Sequence, residues 1–115
     1  MFSVKGDKII ITSGDTAVLT YVPNTSRVFT ESDKAVFTVR AQDGESLMRM
    51  TLQPEADGRV QIPFVHETTK NWKPGIHDWQ IRYYIGAEMA GSTITGVREV
   101  GTPMEVGVIE VLRAL

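Results

Sequence analysis

The sequence contains no cysteine. That excludes disulfides, thiolate zinc sites and cysteine nucleophiles together, and it removes the usual mark of a small secreted domain stapled by bridges. Long apolar runs are missing too: none approaches the roughly 20 residues that carry a helix across a bilayer. Met1 to Lys8 has no apolar stretch behind a basic one, so no signal peptide is read there. The expectation is a chain made in a reducing cytoplasm that stays soluble and has no membrane partner. Neither sign of charge dominates, since 12 basic and 14 acidic residues leave a formal charge of −2. A protein that tracks phosphates carries a basic face, so nucleic acid is not an expected partner. A sustained 3.6-residue apolar period is also absent, and the best helical candidate is the single turn Glu67 to Trp72.

What is present is alternation. The 115 residues, 42% hydrophobic and 23% charged, fit one globular domain spanning 1–115 with a small core of its own. Asp57 to Ile85 reads as turn, strand, polar crossover, Pro-Gly turn, strand. Val60, Ile62 and Phe64 alternate with polar neighbours or proline, and His77, Trp79, Ile81, Tyr83 and Ile85 do the same after Pro74-Gly75. A crossover of about ten residues is too long for a tight hairpin and suggests passage from one sheet to a facing one. Further strands are read at Phe2 to Lys5, Lys8 to Thr12, Thr16 to Val22, Lys34 to Gln42, Ser46 to Gln53, Ser92 to Val97 and Thr102 to Arg113. In the last, Met104, Val106 and Val108 line one face, and Ile109 and Val111 fall out of phase with them. About seven strands bounded by Gly, Pro, Asn and Asp turns predict an all-β, antiparallel sandwich, with a tight barrel as the alternative.

Candidate chemistry is sparse. His66 and His77 each neighbour a carboxylate, Glu67 and Asp78, but adjacent residues on a strand face opposite ways, so no metal site is assigned. His77 shares a phase with Trp79 and Ile81, which predicts a partly buried ring bonded to backbone near the crossover. No Gly-x-Ser-x-Gly elbow is present. Gly86, Gly91, Gly96 and Gly101 lack the strand-to-helix setting of a phosphate loop. Asp7, Asp15, Asp43 and Asp57 sit in turns, where such side chains cap backbone amides. No cofactor is expected. Trp72, Tyr83 and Tyr84 are the candidate carbohydrate contacts, although Tyr83 shares the core phase.

With the strands placed, the chain resembles the N-terminal immunoglobulin-like domain of the phage baseplate upper protein family and related small tail or prophage proteins. The resemblance runs through Ile9-Ile10-Ile11-Thr12-Ser13-Gly14-Asp15-Thr16, Val36-Phe37-Thr38-Val39-Arg40, Asp57-Gly58-Arg59-Val60, the corner from Thr68 to Ile81 (TTKNWKPGIHDWQI), and Gly101-Thr102-Pro103-Met104-Glu105-Val106. His77 and Trp79 stand where the family has tyrosines, and Trp72 where it has leucine. The resemblance implies an immunoglobulin-like fold and a virion structural component, made in the bacterial cytoplasm. It also implies assembly with other tail or baseplate proteins, often as a homo-oligomer, and no catalytic residues.

The expected function is therefore non-enzymatic, by protein–protein assembly. Val18, Val22, Ile109 and Val111, on the two strands read as outer ones, are the candidate interface residues. A carbohydrate-binding module for host-surface recognition is the alternative. A small hydrolase, the third possibility, requires converging carboxylates or a histidine–carboxylate pair in a cleft.

Overall fold

Alternating β-branched and aromatic residues set the local structure almost everywhere along the chain. The computed structural model describes residues 2–115; Met1, the first residue of the expected domain, lies outside the described residues. In chain order the elements are β1 (Phe2–Lys5), β2 (Lys8–Thr12), β3 (Ala17–Tyr21), β4 (Lys34–Ala41), β5 (Ser46–Leu52), β6 (Val60–Phe64) and α1 (His66–Thr69). They continue as β7 (Gly75–Ile85), β8 (Glu88–Ala90), β9 (Thr93–Gly96), β10 (Glu99–Gly101) and β11 (Gly107–Leu112). The protein is all-β apart from the one turn of helix, which falls in the expected crossover.

The strands form three sheets. The largest runs β1-β2-β11-β7-β4-β5, with β10 added beside the far end of β7. Among the described residues β3 pairs only with β6, and β8 with β9. Pairing is antiparallel throughout except between β2 and β11, which run parallel in the register Ile9↔Ile109 and Ile11↔Val111. A wholly antiparallel arrangement was expected; the parallel contact arises because the β1–β2 hairpin joins β11, the last strand, across nearly the whole chain length.

Period-2 alternation delivers one face of each strand to the core. Ile9 and Ile11 of β2, Ala35, Phe37 and Val39 of β4, Trp79, Ile81 and Tyr83 of β7, and Ile109 and Val111 of β11 meet Leu19 of β3 and Val60, Ile62 and Phe64 of β6. Aromatic rings stitch the two sets together: Phe64 meets Phe37 edge-on at 5.7 Å between centroids and Trp72 edge-on at 6.0 Å. The β3–β6 pair therefore packs on one face of the large sheet, leaving that sheet's opposite face outward.

The crossover is tied down by polar contacts to the turn after β2. Thr69, fully buried, donates its hydroxyl to the Asp15 carbonyl at 2.8 Å. The Ser13 hydroxyl donates to the Trp72 carbonyl at 2.8 Å, and His66 Nδ1 lies 2.8 Å from the Gly14 carbonyl. On entry to β7, His77 Nε2 lies 2.8 Å from the carbonyl oxygen of Lys73, four residues upstream. The carbonyl can only accept, so Nε2 carries the proton.

Candidate functional site

The expected interface set divides in two. Val18 and Val22 are exposed, at 58% and 56% of their accessible surface. Ile109 and Val111 are not surface residues: both are buried in the core, at 0% and 1% exposure. The strand begins at Gly107 rather than Thr102, so the inward phase is Gly107, Ile109, Val111, and Met104 and Val106 belong to the preceding loop. β11 is moreover hydrogen-bonded on both sides, to β2 and to β7, which removes it as an outer strand.

The expected aromatic platform does not form. Trp72 and Tyr83 are each 4% exposed and belong to the core, and only Tyr84 is partly open. Alternation along β7 sends Tyr83 inward and Tyr84 outward, and Trp72 closes the crossover end against Phe64. Tyr83 donates its hydroxyl to the Gly58 carbonyl at 2.6 Å. Burial pushes the Tyr83 hydroxyl well above the usual phenol range, with repulsion from an ionised Tyr21 and from the Asp57 carboxylate adding to the effect.

The two histidines are held apart, one at Gly14 and one at Lys73, each against a backbone carbonyl. Turn aspartates behave as capping groups: Asp43 accepts from the Glu45 amide at 2.9 Å and Asp57 from the Arg59 amide at 3.0 Å. Asp33 was missed by sequence reasoning. It is buried and accepts from the amides of Thr30 at 2.8 Å and Gly86 at 3.0 Å, clamping the loop before β4 to the end of β7. Burial alone would raise its pKa; those two amides, the Thr30 hydroxyl and the charge of Arg98 outweigh it and hold the carboxyl below the usual range.

Two of the exposed surfaces combine features that can engage a partner. The first is β3. Among the described residues its backbone makes no hydrogen bond beyond the ladder with β6, so its second edge is open. Val18 of β3 and Val22, one residue past its end, share the strand phase that faces away from the core, with exposed Pro63 directly across from Val18. The second surface is on the outward face of the large sheet. There Thr38, Arg40, Arg49, Asp78, Gln80, Arg82, Tyr84 and Val106 border a groove of about 290 Å³ whose floor includes buried Val36. Its three arginines come from β5, β4 and β7, which are neighbours in space. Each reads in the sequence as an ordinary solvent-side residue, and only the strand order groups them.

No protein-family model matches the chain, and no curated protein sequence matches it.

Proposed function

We propose that this protein is a non-enzymatic, immunoglobulin-like β-sandwich that works by protein–protein assembly, as a structural component of a phage or prophage tail or baseplate. It would be made in the bacterial cytoplasm and end in the virion. The strand order supports the fold reading. The order β11-β7-β4-β5 in the large sheet, with β3 and β6 paired separately, is compatible with the G-F-C-C′ and B-E arrangements of a variable-type immunoglobulin domain. The His77–Lys73 contact supports it too, because an immunoglobulin corner uses a tyrosine hydroxyl to bond backbone a few residues upstream.

One observation carries the functional reading: the unpaired edge of β3 flanked by exposed Val18 and Val22. In an immunoglobulin sheet, strand A would sit beside B; here no described strand pairs with that side of β3. An open edge offers a row of backbone donors and acceptors to a strand from another molecule, and the two valines supply apolar area beside it. The partner is a second copy or a neighbouring tail protein.

Size-exclusion chromatography with light scattering tests this. The wild-type chain is expected to assemble as concentration rises, and Val18→Lys with Val22→Lys to keep the same far-UV spectrum while staying monomeric. A wild type that is strictly monomeric at high concentration counts against self-assembly. A coding region lying outside any cluster of tail genes counts against the phage assignment.

A further inference from the structure

The arginine groove lies on the face of the large sheet away from β3, so it is independent of the edge described above. Alternation places Arg49 of β5, Thr38 and Arg40 of β4, and Gln80 and Arg82 of β7 on one surface. Register sets Thr38 between Arg49 and Gln80, and Arg40 opposite Asp78. Three guanidinium groups thus border one groove with a single carboxylate among them. Among the described residues Arg40 and Arg49 form neither an ion pair nor a side-chain hydrogen bond. Arg82 is held in place: its Nε donates to Thr102 Oγ1 at 3.0 Å, and its guanidinium carbon sits 5.9 Å from the centre of the Tyr84 ring.

We propose that this groove docks an acidic peptide segment of a partner protein, one carrying at least two Asp or Glu residues. Charge complementarity is the argument. The whole chain is net negative, yet this face concentrates cations whose planar forks match carboxylates two bonds at a time. Arg40 and Arg49 are left to make those bonds, and Arg82, already ordered, loses little freedom in making one. Val36 in the floor and Val106 on the wall give an apolar backing that shelters the pairs from water. A nucleic acid fits less well. Three cations are few against the roughly six to ten phosphate contacts of a protein that tracks the backbone.

The test is fluorescence anisotropy with a fluorescein-labelled decapeptide of alternating Glu and Thr, titrated with the full chain at low salt. An oligothymidine of equal length is the competitor. The wild type is expected to bind the peptide, and Arg49→Glu to weaken it at least about tenfold, the loss of one charge-assisted pair. Arg40→Gln should weaken it as well without placing a like charge beside Asp78. Arg113→Glu, an equal charge change outside the groove, should leave binding within about twofold. The proposal is overturned if the wild type does not bind, if Arg113→Glu weakens binding as much as Arg49→Glu, or if the oligothymidine displaces the peptide at lower concentration than unlabelled peptide does. None of these outcomes alters the oligomeric state, so a failure here is distinguishable from a failure of the β3 contact.

Discussion

Trp79 and Gly107 are register partners across β7 and β11, and the indole occupies the space that a side chain at residue 107 would need. A Cβ there would lie 2.6 Å from Trp79 Cε2 and 2.8 Å from the Asp7 carbonyl oxygen, and would collide with Nε1 as well. The indole Nε1 donates to that same carbonyl at 2.8 Å, which joins the β1–β2 turn to β7, and the Val108 amide donates to it at 3.2 Å from the start of β11. The glycine is thus required by close approach rather than by backbone conformation.

Gly107→Ala is therefore expected to displace the indole and its bond to Asp7. The cost should be about 1–3 kcal/mol, the range for overpacking a close-packed site, read as a lower urea midpoint at unchanged slope. Gly101→Ala is the control, since a Cβ at that position would meet nothing; its stability should stay within about 0.5 kcal/mol of the wild type.

Tyr83 should make the protein sensitive to alkali. Its folded-state pKa is raised above that of an unfolded tyrosine, about 10. A raised value contributes stability that is fully present below the unfolded pKa and is lost as pH rises through the folded one. Stability should therefore be level up to about pH 9–10 and fall above it. Tyr83→Phe should show a shallower fall, with the remainder coming from Tyr21, which burial also raises. Near neutral pH the same variant should cost about 1–3 kcal/mol, because the buried Gly58 carbonyl loses its donor. Urea unfolding followed across pH reads both effects.

Asp33 should do the opposite at the acid end. Its folded-state value is lowered, so its contribution is present above the unfolded value of about 3.9 and is lost as pH falls through the folded one. Asp33→Asn should destabilise the neutral protein by about 1.5–3 kcal/mol, the range for hydrogen bonds to a charged group. Its gap to the wild type should close as pH drops below about 4. A gap that stays constant from neutral to acid would show that the clamp on Thr30 and Gly86 does not depend on charge.

Much of the strand set was legible because alternation is a local property. Val60, Ile62 and Phe64, and the five alternating residues of β7 from His77 to Ile85, face inward as read. The backbone contact of His77 was legible from its phase and its place after Pro74-Gly75, while its burial, at 8% exposure, is deeper than the partial burial expected. The last strand was misread because Met104, Val106 and Val108 mimic a strand phase. The chain from Thr102 to Val106 is in fact loop, and pairing begins only at Gly107, where Trp79 admits no side chain. Alternation reports the outward side of Tyr84, whereas Trp72, in the crossover, is buried by packing against Phe64, which periodicity does not report.

The sequence by itself determined the all-β class, the inward face of most strands and the capping role of Asp43 and Asp57, since each depends on residues a few positions apart. Only the tertiary structure decided which strands are neighbours. Sheet order comes from contacts between residues far apart in the chain, such as Ile9 with Ile109 and Ala41 with His77, and no local pattern encodes them. That order put Ile109 and Val111 in the core, left one edge of β3 open, and gathered Arg40, Arg49 and Arg82 around a single groove.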